Sequence, residues 1–244
     1  MRKILKKLIP ARALALGANV LEKLRHRSYR KLPVDQVFAK IYADKEWGGG
    51  NNVGFYSGAG SHDAGLVVPY VSAVRAYLAG LPARPVVVDL GCGDFNVGKN
   101  FVDWVSEYHA CDIVPALQEH NRSEFGRDNL HFPCVNIIDD VLPDGDIVVI
   151  RQVLQHLSNA QINRVIDKCG KYDTWIVTEH LPSGAGFEPN IDISAGCGIR
   201  VLVKSGVVLT APPFSLGGYQ GRILCDIAYH GEIIRTILFE RSNP

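Results

Sequence analysis

Residues 86–101 read VVVDLGCGDFNVGKNF, and the abrupt passage from an apolar run into Asp-Leu-Gly-Cys-Gly-Asp decides the fold. Three consecutive valines mark a buried strand. Two glycines one residue apart, Gly91 and Gly93, mark a turn whose backbone comes close to something else. In an open α/β sheet such a turn sits at the carboxyl end of the first strand, where ligands bind.

Outward from that stretch the pattern alternates. Strands are expected over 86–90, 107–111, 130–136, 146–150 and 173–178, with helices over about 97–106, 114–126 and 158–169. Strand and helix in turn imply a parallel sheet with helices on both faces. The end of the chain differs: GRILCDIAYHGEIIRTILFER (221–241) is two strand-like runs joined across YHGE, an antiparallel hairpin. Residues 181–219, rich in Gly and Pro, read as loops with some strand near 207–211.

Upstream, 33–44 reads as a short helix with Val37, Phe38, Ile41 and Tyr42 on one face, and 64–81 as a second helix containing Pro69. Between them KEWGGGNNVGFYSGAGSHD (45–63) carries six glycines in nineteen residues and forms no regular element. Long loops in compact domains are lids or linkers. Trp47, Phe55 and Tyr56 favour a lid.

A chain of 244 residues, 47% hydrophobic and 21% charged, suits one α/β domain with an extension, and it has no apolar run long enough to cross a bilayer. The expected boundaries are 1–62 for a basic leader, short helix and lid loop, and 63–244 for the α/β domain. The six cysteines are scattered without a Cys-x-x-Cys pair. They read as buried thiols of a reducing, cytoplasmic compartment, with neither a disulfide framework nor a metal site.

The net charge of +1 conceals an asymmetry: residues 1–31 hold ten Lys/Arg against the single acid Glu22, leaving sixteen basic and twenty-four acidic residues in the body. From Pro10, helical spacing gathers Leu14, Leu16, Val20, Leu21 and Leu24 opposite Arg12, Asn19, Glu22, Lys23 and His26. Arg12 interrupts the apolar stretch, which argues against a secretory signal. The leader reads equally as a helix packing on its own domain or a partner and as a segment lying on anionic lipid at the inner membrane face.

Two cofactor classes use a glycine turn of this kind. The dinucleotide fingerprint Gly-x-Gly-x-x-Gly would need a third glycine at Asn96, and the next glycine is Gly98, two positions late. VVDLGCGD instead resembles the first motif of the class I S-adenosylmethionine-dependent methyltransferases. That resemblance implies a doubly wound, seven-stranded Rossmann-like sheet ending in an antiparallel hairpin, with S-adenosylmethionine as cofactor. Asp89, Gly91, Gly93 and Asp94 would lie at the donor's methionine and ribose. Asp112, closing YHACDI nineteen residues after Gly93, would take both ribose hydroxyls, since a carboxylate offers an oxygen to each. Ile113 follows it, and CVNIIDD resembles the third-strand end at the adenine, with Asn136 and Ile137 there. DIVVIRQVLQHLS resembles the fourth strand and the turn facing donor and acceptor. The likeness covers roughly 85–240. Phe95 departs from it, standing where a third glycine is often found.

EWGGG and YSGAGSHD, followed by DLGCGDFN and RQVLQHLS, resemble a group of bacterial methyltransferases associated with surface-polysaccharide or other small-molecule biosynthesis. In the loop over 45–63, Trp47, Tyr56, Ser57 and Ser61 would close over the cofactor and exclude water; the other reading is a packed connection whose aromatics fill the core.

The implied reaction moves a methyl group to an oxygen or nitrogen of a small-molecule or sugar acceptor, by in-line displacement that depends on alignment and on removal of a proton. His156, just after the fourth strand, has the ordinary imidazole pKa of about 6.5 that suits a base. Arg151 would orient an acidic acceptor or the donor's carboxylate; Glu179 and His180 stand at the end of the fifth strand. Each also has a structural reading: His156 and Asp112 as helix caps, Arg151 as half of an ion pair. Two rivals stay open: an RNA methyltransferase using the leader as a phosphate-binding arm, and a non-catalytic module that kept the fold. Nucleic acid is the less favoured partner, its case resting on the leader alone. Oligomeric state is not legible.

Overall fold

A computed structural model describes residue 29 and residues 32–49, 54–184 and 186–242. The helix expected from Pro10 and the rest of the basic leader to residue 28 lie outside the described residues.

Strands β1 (Val86–Leu90), β2 (Glu107–Cys111), β3 (Leu130–His131), β4 (Ile147–Arg151), β5 (Thr174–Pro182), β6 (Tyr219–Tyr229) and β7 (Glu232–Arg241) form one sheet in the order β3-β2-β1-β4-β5-β7-β6. The first five run parallel, and β7 lies antiparallel to both β5 and β6. The helices are α1 (Val34–Ala43), the single turn α2 (Ala59–His62), α3 (Ala64–Ala79), α4 (Pro115–Phe125) and α5 (Asn159–Cys169).

The strand sequences follow from their burial. β1 and β4 have helices or loops on both faces and so read as continuous apolar runs instead of alternating ones. One core layer gathers Tyr70, Val74, Phe95, Phe101, Tyr108 and Leu238 on the α3 side. The other gathers Leu90, Ile150, Leu154, Ile162 and Trp175 on the α5 side. α4 starts with Pro115 in its first turn, where the missing N–H has no partner to lose. α5 starts with a capping box between Ser158 and Gln161.

Four expectations differ, the first being that the stretch 45–63, read as free of regular elements, ends in the single helical turn α2 (Ala59–His62). The helix over 97–106 is two 3-10 turns, Gly98–Asn100 and Val102–Trp104. Asn100 Nδ2 donates to the carbonyls of Asn96 and Val97, so a side chain competes for the acceptors a helix needs. The third strand keeps only Leu130 and His131, because Pro133 brings no N–H to a ladder. At 207–211 there is no strand: Asn190 Oδ1 accepts from Val208 N, and its Nδ2 donates to the carbonyls of Val208, Ala211 and Pro212. One buried side chain thus satisfies backbone that would otherwise seek a strand partner.

Phe95 occupies the left-handed region at φ 59° and is fully buried, with the rings of Tyr108, Phe125 and Phe132 edge-on at 5.5, 5.5 and 5.0 Å. That backbone costs a non-glycine residue about 1–2 kcal/mol, and burial of the ring, worth about 1.5–3 kcal/mol, offsets it. A Cβ on Gly98 would lie 2.5 Å from Phe95 Cε2. Gly98 is therefore small because Phe95 is large.

The chain leaves β1 toward β2 and β3, then returns to place β4 on the other side of β1. The carboxyl ends of β1 and β4 form the crevice where open α/β sheets bind ligands.

Candidate functional site

A cavity of about 790 Å³ opens at that crevice, within the size range of small-molecule sites. Its floor is the turn after β1. Gly91 has φ +80°, and a Cβ there would lie 2.5 Å from Val153 Cγ2. Gly93 has φ +58°, and a Cβ there would overlap Ser57 Oγ. Both positions need glycine for the conformation and for the close approach.

Asp112 follows β2 and lines the cavity with its side chain largely buried. Its Oδ2 accepts from Gly93 N at 3.1 Å and its Oδ1 from Val114 N at 3.1 Å. The Ile113 N–H also acts on the carboxylate, which still has acceptor capacity beyond these bonds. Burial raises the carboxyl to about 6 in spite of these N–H donors. Ile113, Asn136 and Ile137 continue the same wall. The Asn136 side chain is folded back, with Nδ2 donating to Asp139 and Oδ1 accepting from Ile138 N.

α1 and the lid loop close the cavity from above. Trp47, Ser57 and Ser61 all line it. Ser57 N donates to Asp94 Oδ2 at 2.9 Å and Asp94 N donates to Ser57 Oγ at 2.8 Å. His62 Nε2 lies 2.6 Å from the same Asp94 oxygen. Asn96 Nδ2 donates to Ser61 O, and Arg151 Nη2 to Gly60 O, both at 2.7 Å. The lid is thus stitched to the glycine turn and to the end of β4. Trp47 packs edge-on to Tyr42 at 5.1 Å and lies 5.3 Å from the His156 ring.

Two residues expected at the cofactor stand away from the cavity wall. Asp94 is the lid's anchor. Asp89 turns its carboxylate to Tyr108 OH at 2.9 Å, and burial pushes it up to about 7.

His156 lines the cavity, but burial lowers its pKa to about 4, well below the value expected of a base at neutral pH. Its Nδ1 lies 3.1 Å from the Gly198 carbonyl. A carbonyl only accepts, so the proton sits on Nδ1 and the ring is neutral. Arg151 also lines the cavity, with its guanidinium 4.8 Å over the Tyr70 ring. Glu179 is buried behind the wall: its Oε1 accepts from Leu154 N at 3.2 Å, and burial pushes it up to about 8. Glu179 therefore holds the turn after β4 and does not face the cavity.

Of the fifth-strand pair it is His180 that lines the cavity, with Nε2 2.6 Å from Glu232 Oε2 on β7. Sequence reading assigned no role to Glu232; only the β5–β7 register brings it there. Gln152, at φ 56° in the turn that the resemblance has facing donor and acceptor, lines the cavity; the run from Cys197 to Leu202, which carries no periodic signal, was not placed there. Tyr42 had a signal, the apolar face of α1, and its OH lies 2.9 Å from Ser57 Oγ. Among the described residues no group of three or more His, Cys, Asp or Glu is arranged to hold a metal ion, no cysteine forms a disulfide, and no helix is long and apolar enough to cross a membrane.

No protein-family model and no curated protein matches the chain. Solved structures match it in fold. The 1,6-didemethyltoxoflavin-N1-methyltransferase of Burkholderia thailandensis is 13% identical at a TM-score of 0.59, covering 86% of this chain and 88% of that one. The magnesium protoporphyrin IX methyltransferase of Synechocystis is 16% identical at 0.57, covering 86% and 100%. An N-methyltransferase of Bradyrhizobium japonicum is 11% identical at 0.56, covering 73% and 88%. All three were crystallised with S-adenosylhomocysteine. The chain has the class I methyltransferase fold.

Proposed function

We propose that the protein transfers a methyl group from S-adenosylmethionine to an oxygen or nitrogen of a small-molecule acceptor, a sugar among the candidates. The observation that carries this reading is Asp112: a carboxylate at the end of β2, facing the cavity, with both oxygens already aligned by backbone N–H groups. The glycine turn beside it lines the same cavity, at positions where a Cβ would collide with Val153 or Ser57, themselves cavity residues. Residues and group fit.

The bound donor supplies an electrophilic methyl group on a sulfonium. Everything else falls to the chain. Gly91 and Gly93 let the backbone approach the methionine and ribose, Asp112 takes the two hydroxyls, and Ile113, Asn136 and Ile137 flank the adenine. Trp47, Ser57 and Ser61 exclude water, which strengthens each polar contact inside. Arg151 orients a carboxylate of donor or acceptor.

His180 is the group that takes the acceptor's proton. Glu232 holds one of its nitrogens and leaves the other to accept, while burial pulls its pKa down and the neighbouring carboxylate raises it. What distinguishes it from His156 is this carboxylate, which opposes the lowering that burial causes and steadies the imidazolium formed when the proton is taken, where His156 has the Gly198 carbonyl. His156, with its proton committed to Gly198, orients the acceptor beside Trp47.

We place the protein in the cytoplasm, with residues 1–31 in peripheral contact with the inner face of a membrane, on the strength of the sequence. Calorimetry tests the central claim. S-adenosylmethionine and S-adenosylhomocysteine should bind with micromolar affinity, Asp112→Ala should abolish it, and NADH should not compete. Failure of the intact protein to bind either compound would overturn the reading.

A further inference from the structure

The cavity has an apolar mouth, and the leader joins the body beside it. Tyr29 and Leu32, the last stretch before α1, pack in one cluster with Val37, Ile41 and Cys197. Cys197 begins the run that ends in the 3-10 turn Arg200–Val203. Val34, Ile199 and Leu202 line the cavity. Leu202 is nevertheless 63% exposed and its neighbour Val203 45% exposed, two of the few large apolar side chains that face solvent. Lys204 follows, exposed, in the left-handed conformation that ends the turn.

Two exposed apolar residues followed by a lysine, next to the root of a segment with ten basic residues and one acid, have the chemistry of an interfacial contact: apolar side chains enter the headgroup boundary and cations pair with lipid phosphates. The body after residue 31 carries eight more acids than bases and is repelled by an anionic surface. Contact is therefore confined to the face where the leader enters.

We propose that the protein docks on an anionic bilayer with its cavity mouth toward the lipid, the leader supplying the charge and Leu202 and Val203 the apolar wedge. The proposal rests on the reading of residues 1–31 as a membrane-surface segment, and it narrows the acceptor class. Leu202 belongs both to the outer surface and to the cavity wall, so an amphiphilic acceptor anchored in the bilayer passes from lipid to cavity along apolar side chains. Such an acceptor would present its polar head to Arg151 and His180.

The test is co-sedimentation of the full chain with vesicles of phosphatidylcholine alone and of phosphatidylcholine mixed with phosphatidylglycerol. Partition is expected on the mixed vesicles only and should fall with salt. Lys6→Glu with Lys7→Glu should reduce it about tenfold or more, since each basic residue near such a surface is worth about 1 kcal/mol. Val203→Asp should reduce it several-fold, whereas Val141→Asp, at a position 92% exposed and outside the cavity wall, should not. S-adenosylhomocysteine affinity is measured on every variant. Lost partition with retained affinity separates docking from cofactor binding. Equal behaviour of Val203→Asp and Val141→Asp would overturn the orientation. Absence of partition, or partition indifferent to the leader charges, would overturn the docking, as would binding of an RNA oligonucleotide in place of vesicles.

Discussion

Ser57 and Asp94, thirty-seven residues apart in sequence, exchange two hydrogen bonds, each backbone N–H donating to the other's side chain. The pair joins the lid to the turn that floors the cavity. Its loss should register in how long a ligand stays rather than in whether the chain folds.

Asp94→Asn removes the charge that holds His62 and weakens the acceptor for Ser57 N. With charge-assisted bonds worth about 1.5–3 kcal/mol, S-adenosylhomocysteine should dissociate about tenfold or more faster, and Ser57→Ala should give a smaller change in the same direction. Stopped-flow displacement measures both. Unchanged dissociation in both variants would show that the lid does not retain the ligand.

Asp112 makes binding depend on pH. Its carboxyl titrates at about 6 in the free protein, and the charged form is the one that accepts from two hydroxyls. Affinity should be level above that pH and fall about tenfold per unit below it, one proton being taken up. Calorimetry across pH 5–8 checks the slope, which Asp112→Asn should flatten.

Gly91→Ala places a methyl group against Val153 and a side chain at φ +80°. Strain of about 1–2 kcal/mol should lower the urea midpoint modestly, and the displacement of Val153, which lines the cavity, should weaken cofactor binding. A variant that unfolds at the wild-type midpoint and binds normally would contradict the geometry.

Glu179 carries a folded-state pKa of about 8 against an ordinary glutamate value of about 4.3. A raised carboxyl pKa means that the folded state holds the proton more tightly. The cost of ionising it is absent below the unfolded value, grows between the two, and is complete above pH 8. Glu179→Gln should therefore match the wild type near pH 4 and exceed it at pH 9, by on the order of 2–5 kcal/mol. Urea unfolding at the two pH values decides it.

His180→Asn should lower kcat about a hundredfold or more once an acceptor is known, the usual range for a general base, with donor affinity unchanged. Glu232→Gln should produce a smaller loss and a shifted pH profile. A profile that keeps its shape in both variants would remove His180 from the proton's path.

How much of this was legible in the chain depended on whether a feature is local. β1 and its turn were, because three valines and two glycines are a conformational statement in themselves. Asp112 came from the resemblance that YHACDI carries, and it lines the cavity; the terminal hairpin was legible in the two strand-like runs joined across YHGE. The misplacement of Asp94 has a plain cause: it neighbours Gly93 in sequence, but its partners Ser57 and His62 come from the lid, and no local pattern announces a meeting across that separation. His156 is the converse case. The residue type was right for a base, yet its pKa is set by burial and the Gly198 carbonyl, neither of which is written in the residues around it. The run over 197–202 has no period at all and takes its shape from Arg200, fully buried and donating to the carbonyls of Ile191 and Leu157.

Phe95 and Gly98 bear on descent. Because the ring of one fills the space that any side chain on the other would need, neither site can drift alone. Enlarging Gly98 first would drive a methyl group into the ring, and shrinking Phe95 first would leave a void among three aromatic neighbours. A lineage moving between a glycine and a phenylalanine at position 95 must pass through an intermediate worse than either end, or change both residues together. The two positions are expected to be inherited as a unit, so a covarying pair at this spacing would mark relatives of this chain even where the rest of the sequence has diverged beyond recognition.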